Sequence, residues 1–418
     1  MTIALFKEVG AEPSTRRRAR VPVTVIASLA WLLTVDLMSR WGVQAYATIG
    51  MLCVLLLAVI VYVWAPAPGR SELFEPRILG QYRLPVVLGI WVVYALIRLA
   101  FNPEFATGLQ NTSVQIIAVL SVAVTSAQSS ASTAQVWMPR MLYAVVFSSI
   151  VYLATVPLYG FGNARIIDAR AFASIALVGL CIAIALHATS RKKIYLAHMT
   201  AIFAALIASL SRTALLVGLV LLLVEAFKHR GAKAIALAIV RLALLAAVAW
   251  SLLENFAPLA DRFATNDNAK ILGVEVGTSG RAKLWQTMQE SIPKSPIFGQ
   301  GPGSSNALIT ESYGAIISHP HSEYLRIIHD YGWVGMILFG LGFILILIRS
   351  WVALGKSTGP ISAAHLSSIM AVVSLAIMSA TSNITVYIFA MLPLCTLMGF
   401  SMAHIRRRRA SDTVRPIF

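Results

Sequence analysis

Eight consecutive residues, Ser318-His319-Pro320-His321-Ser322-Glu323-Tyr324-Leu325, set two histidines and a carboxylate at the start of an apolar pattern. The spacing predicts a helix opening there, with His319 near the cap, Pro320 in the favoured first position and His321 in the first turn. The positive end of a helix disfavours imidazolium, so His321 is expected to be neutral and able to take a proton at neutral pH, as a general base does. A solvated, structural His321 is the plain alternative. His319, His321 and His329 do not read as a metal site, because an i, i+2 pair at a helix start does not converge as an i, i+4 pair would. No metal or cofactor is expected.

Upstream, Gly277-Thr278-Ser279-Gly280-Arg281 leads into Leu284, Met288 and Ile292 at helical spacing, and Pro293 stops the run. Thr278 or Ser279 can cap that helix, which puts Arg281 in its first turn. Free N–H groups, the helix dipole and a forked guanidinium together suit phosphate oxygens, although a surface arginine on an amphipathic helix has the same spacing. Arg212, in Ser211-Arg212-Thr213 between two apolar runs, also stands out. An arginine near a bilayer costs energy and is usually paired or functional, or else snorkels to the interface. Phe298-Gly299-Gln300-Gly301-Pro302-Gly303-Ser304 looks superficially like a phosphate loop but lacks the Gly-Lys-Ser/Thr ending. It reads as a tight turn whose glycines allow positive φ and close backbone approach.

These residues must be positioned by membrane helices. Of 418 residues 58% are hydrophobic and 12% charged, and the mean hydropathy is +0.77, outside the range of a soluble globular protein. Apolar runs near the length of a bilayer-crossing helix lie at Val21–Met38, Ala45–Trp64, Leu84–Phe101, Thr112–Ala127, Met141–Leu158, Phe172–Leu186, Tyr195–Leu210, Ala214–Phe227, Ala234–Leu253, Gly332–Ile348, Ala364–Ala380 and Ile384–His404. The expected fold is an all-α polytopic membrane protein with about 12 transmembrane helices. The short seventh and eighth runs meet at Arg212, where one continuous tilted helix would reverse the topology of everything after it. The chain divides into a basic N-terminal arm (1–20), helices 1–9 (21–253), a long loop (254–331), helices 10–12 (332–404) and a basic tail (405–418). Arg16, Arg17, Arg18 and Arg20 before an apolar run resemble a signal peptide, but no clear small-residue cleavage site follows, so the first helix is read as retained. Cys53, Cys181 and Cys395 fall inside spans, which argues against a disulfide framework or a thiolate metal site.

The net charge of +17 does not mean nucleic acid, because of where it sits. Outside the long loop, 22 Lys and Arg residues fall in alternate short connections and the termini, against Arg40, Arg98, Arg165, Arg170 and Arg212 on the opposite side. The positive-inside rule then places both termini in the cytoplasm and the long loop outside. The basic patches read as topogenic and lipid-headgroup contacts. The loop itself holds 8 of the 17 acidic residues and 3 of the 8 histidines, so chemistry is expected there.

With these residues in place, the chain resembles the superfamily of O-antigen ligases and O-antigen or exopolysaccharide polymerases. The ligase pattern of His, then Asn, Ser or Gln, nine residues and Gly-x-x-Gly is met by His321, Ser322, Gly332 and Gly335, with Met336 where Thr or Val often follows. Arg212 in Ser-Arg-Thr and Arg281 in Ser-Gly-Arg-x-x-Leu-Trp look like the family's arginines. His-x-His-Ser-Glu-Tyr-Leu is equally similar to exopolysaccharide polymerases. The resemblance implies a fold akin to the GT-C class in a bacterial inner membrane, and an inverting, metal-independent transfer of a glycan from undecaprenyl diphosphate to an acceptor hydroxyl on a glycan or on the lipid A core. It implies that Arg281 and Arg212 bind the diphosphate and that His321 takes the acceptor proton, with Ser322, His319 and Glu323, or Glu290, near the acceptor. Membrane lipids and other polysaccharide assembly proteins are the expected partners, and nucleic acid is not. A lipid-linked sugar flippase is the main rival, weakened because the acids in or next to spans, Asp36 and Glu225, both lie close to span ends. A non-catalytic membrane scaffold is the other.

Overall fold

A computed structural model describes residues 21–34, 44–64, 84–102, 105–162, 167–226, 232–259, 268–271, 274–277, 281–314 and 319–412. The basic arm 1–20, Arg40, the stretch Arg70 to Arg83, Arg165 and the capping candidates Thr278 and Ser279 lie outside the described residues. The first part of the chain forms α1 (Val23–Thr34), α2 (Gln44–Trp64), α3 (Val86–Ala100), α4 (Phe105–Gln128), α5 (Ala131–Tyr159), α6 (Ala169–Ser190), α7 (Lys193–Ala208), α8 (Arg212–Ala226) and α9 (Ala232–Asn255). Strands β1 (Asn268–Ile271) and β2 (Val274–Gly277), then α10 (Arg281–Ser291) and α11 (Ser304–Tyr313), occupy the long loop. α12 (Glu323–Leu354), α13 (Gly359–Thr381) and α14 (Ile388–Asp412) close the chain, with a 3-10 turn at Ile384–Val386.

Each of the apolar runs overlaps a helix in the described residues. Among the described residues, six segments are long and apolar enough to cross a bilayer: Phe105–Gln128, Ala131–Tyr159, Ala169–Ser190, Glu323–Leu354, Gly359–Thr381 and Ile388–Ile405. One departure from an all-α chain is the antiparallel pairing of β1 with β2, in which Ile271 faces Val274.

α6 and α14 form the centre. α6 is buried from Ala171 through Leu186, an all-round burial that its small residues permit. A Cβ added to Gly179 would lie 2.5 Å from Val145 Cγ1, and one on Gly399 of α14 would lie 2.4 Å from Thr125 Cβ of α4. Ser121 of α4, Ser149 of α5 and Thr396 of α14 donate to the carbonyls of Ile117, Val145 and Leu392, one turn earlier. Along α12, Trp333, Ile337, Leu341, Ile344, Ile348 and Val352 are exposed at helical spacing, the face a membrane protein turns to lipid.

The junction at Arg212 is a turn, not one tilted helix. Leu210 adopts φ 53°, which ends α7 and lets α8 fold back along it. Gly218 of α8 then meets Phe203 of α7, with a Cβ at Gly218 falling 3.0 Å from the ring. Arg212 therefore sits at the first position of a new helix, at the tip of a helical hairpin.

Candidate active site

The platform under the site is built around one glycine. The apolar run suggests a span starting at Gly332, but α12 begins earlier, at Glu323, and is broken at Gly332, where φ is 68° and ψ is −174°. The break takes partners away from the carbonyls of His329 and Asp330 and from the N–H groups of Trp333 and Val334. The turn before α11 replaces all four. Gln300 N–H donates to His329 O at 2.8 Å and Gly301 N–H to Asp330 O at 3.0 Å, while Trp333 and Val334 donate to Pro296 O and Ile297 O at 2.9 and 3.2 Å. A Cβ on Gly332 would sit 2.1 Å from Ile297 O, and one on Gly299 2.5 Å from the Asp330 carbonyl. Gly332→Ala is therefore expected to cost about 2–3 kcal/mol or more, combining a steric clash with an unfavourable positive φ. Thermal unfolding of the purified protein followed by gel filtration reads this, and an alanine variant as stable as its parent would show that the platform can relax.

The glycine-rich turn does not hold an exogenous phosphate. Gly303 N–H and Ser305 N–H donate to the buried Asp330 carboxylate at 3.1 and 2.9 Å, and Ser304 Oγ donates to it at 3.1 Å. Asp330 thus occupies the anion position at the start of α11. The turn reading holds: Gly299, Gly301 and Gly303 have φ of 76°, 111° and 87°. His329 belongs to the same network, sharing hydrogen bonds with Ser291, Gln300 and Ser304. From α3, Arg98 donates to Gly299 O at 2.8 Å and Tyr94 to Tyr331 O at 2.7 Å, tying this platform to the membrane helices.

His321 lies ahead of α12 and not in its first turn. Ser322 is the N-cap, and Pro320 precedes the helix rather than opening it. His321 itself adopts φ 54°, a backbone state that costs a non-glycine residue on the order of 1 kcal/mol and persists where the surroundings enforce it. Two contacts do so. Trp285 Nε1 donates to Pro320 O at 3.1 Å, and Asn383 Nδ2 lies 3.1 Å from His321 Nδ1. The helix dipole is then not what keeps the imidazole neutral. Burial pulls its pKa down to about 4, and the charges of Arg281 and Arg170, then His319, push the same way. At neutral pH His321 is an uncharged imidazole.

Arg281 is the first residue of α10, as its sequence setting predicts, and it donates to the carbonyl of Thr381 at the end of α13. The Thr381 hydroxyl shares a 2.6 Å hydrogen bond with Thr213, the neighbour of Arg212. Thr381 therefore ties the starts of α8 and α10 together, and Asn383 just beyond it ties in His321. Burial, then the charges of Arg170 and Arg212, bring Arg281 down to about 10, so it stays a cation among cations. Such crowding of like charges is relieved by an anion placed between them.

The remaining sequence candidates fall elsewhere. Glu323 is fully buried, and its carboxylate is paired with Arg326 and Thr385. Ser322 is also buried. His319 is held by Asn306 at 2.9 Å, which accepts in turn from Asn111 of α4 at 3.0 Å. Glu290 is exposed on α10 and accepts from Gln286, roughly 13 Å along the helix from Arg281. Thr381 and Asn383 join these candidates, the charge of Arg170 reaches Arg281 and His321, and none of the three stood out as a site residue in the sequence. The signal was present for Arg170: Arg98, Arg170 and Arg212, the described exceptions to the basic-side bias, all gather at this end of the helical body.

Residues 197–340 match the family model described as O-antigen ligase. The matched stretch holds Arg212, Arg281, His321 and the Gly332 break, while Arg170, Thr381 and Asn383 lie outside it. No sequence among the curated proteins matches the chain. Over residues 197–340 the chain is therefore similar to the O-antigen ligase family, and one of the apolar helices long enough to cross a membrane, Glu323–Leu354, begins in that stretch.

Proposed function

We propose that this protein is an inner-membrane glycosyltransferase that moves a glycan from undecaprenyl diphosphate to an acceptor hydroxyl at the periplasmic face. The observation that carries this reading is the convergence of Arg281, a neutral His321 and Thr213, the neighbour of Arg212, on one short segment, Thr381 to Asn383, with the charge of Arg212 felt at Arg281. Arg281 and Arg212 hold the diphosphate and stabilise its charge as it leaves, and His321 takes the proton from the acceptor oxygen. The activated diphosphate supplies the driving force, so neither a nucleotide nor a divalent ion is required. In this reading the chain crosses the bilayer about 12 times in a GT-C-like arrangement, with both termini cytoplasmic and the segment 254–331 periplasmic.

Two acceptors suit this chemistry. The His-x-His-Ser-Glu-Tyr-Leu phrase favours a growing chain of repeat units, hence a polymerase. The family match favours the lipid A core, hence a ligase. Deleting the gene and complementing it with wild type or Arg212→Ala, at equal protein levels, separates them when surface glycans are run beside undecaprenyl-linked intermediates. Single repeat units in place of long chains mean polymerase, and long chains left on undecaprenyl mean ligase. Repeat units trapped on the cytoplasmic face would reject transfer in favour of flipping. Arg212→Ala is expected to restore less than about a tenth of the product.

A further inference from the structure

We infer that Arg170 is a third diphosphate-binding arginine of this site, matched to the charge of the departing group rather than to that of the bound donor. The inference rests on the lipid-diphosphate reading above. Its geometric basis is the packing of α6 against α8 and α13. A Cβ on Gly218 of α8 would lie 3.2 Å from Leu180 of α6, and Cys181 of α6 lies 3.6 Å from Ser374 of α13. Counting back from these contacts brings the start of α6, with Arg170 in its first turn, to the same end as Arg212 and Thr381. Arg170 is exposed there. Its charge acts on Arg281, His321 and Tyr387, which places its guanidinium within electrostatic reach of all three. The amides at this helix start are already engaged, since Arg170 N–H and Ala171 N–H donate to Asp168 at 2.8 and 3.0 Å. What α6 offers an anion is the guanidinium.

The charge change in the reaction supplies a role for it. In the donor each phosphate of the diphosphate diester carries one negative charge. Transfer breaks the bond between the anomeric carbon and the diphosphate oxygen, the electron pair stays on that oxygen, and the acceptor oxygen forms the new bond while its proton passes to His321. The diphosphate leaves with one more negative charge than it brought. Arg281 and Arg212 balance the donor, and Arg170 meets the charge that appears as the bond breaks, an interaction that raises kcat more than it lowers KM.

The test uses the full-length protein in nanodiscs, with farnesyl diphosphate standing in for the product and farnesyl monophosphate for a lipid of lower charge. Wild type is expected to prefer the diphosphate, and Arg170→Ala to bind it about tenfold more weakly with little change for the monophosphate. Arg170→Gln should behave likewise, and Arg170→Lys should keep part of the preference. Wild-type affinity and preference in folded Arg170→Ala and Arg170→Gln, beside a loss in Arg281→Ala, would overturn the role of Arg170 and leave the donor reading standing. No preference for the diphosphate in wild type would overturn the donor reading and this inference with it.

Discussion

Replacing His321 by asparagine is expected to lower kcat for glycan transfer by about 10²–10⁴-fold, the range lost when a positioned general base is removed. Asparagine tolerates the positive φ at this position better than alanine does, so the loss reads chemistry and not a refolded loop. Donor binding should change little, because in the proposed mechanism the arginines, not His321, hold the diphosphate. The pH dependence carries the sharper expectation. In the free protein His321 protonates only near pH 4, since burial and the charges of Arg281 and Arg170 all oppose the imidazolium. A diphosphate bound among those arginines offsets their repulsion and raises the pKa of the base. The acid limb of kcat/KM, which reports free protein, should therefore lie near pH 4, and that of kcat, which reports the complex, at higher pH. Rate profiles with a synthetic lipid donor decide it: acid limbs that coincide would remove the electrostatic coupling, and near-normal turnover by His321→Asn would remove the base.

What the sequence made legible follows from where its information is local. Apolar runs, the helix start at Arg281 and the turn at Arg212 depend on neighbours within a few residues, and each is found in the structure. The family motif located Gly332, but its physical reason is non-local: the glycine exists because the turn at Pro296 to Gly301 needs the carbonyls and amides that the broken helix releases. The same limit explains the misplaced start of α12. Pro320 is well suited to a first helical position, yet the contacts of Trp285 and Asn383, distant in sequence, hold His321 in a left-handed state and defer the helix to Glu323.

Among site residues the outcome divides in the same way. Arg212 stood out because an arginine near a bilayer is costly, and Arg281 and His321 because each falls at the start of a helix legible from its neighbours. Glu323, expected near the acceptor, is buried as the partner of Arg326, which lies one helical turn further on. Thr381 and Asn383 are small polar residues between two spans, a setting in which threonine and asparagine are ordinary. Only the packing of α13 against α8 and α10 makes them the junction of the site.

Arg281→Ala is expected to reduce kcat by about 10²–10³-fold, the scale of losing one preorganised donor to a developing anion. Among the described residues Arg281 donates to Thr381 O, a contact that orients the guanidinium, and a guanidinium has five N–H donors in all. Arg281→Lys should recover only part of the rate, because an ammonium cannot hold the carbonyl and two phosphate oxygens in one plane. A purely structural role would also slow the reaction, so the rate alone does not separate the two. The acid limb of kcat/KM does. Arg281 is the largest charge acting on His321, and its removal should move that limb up from about pH 4 toward the ordinary histidine value. In Arg281→Lys the positive charge remains and the limb should stay low even as kcat falls. An Arg281→Ala enzyme whose limb does not move would place the guanidinium away from His321, and a lysine variant at full rate would show that a point charge is all the diphosphate requires.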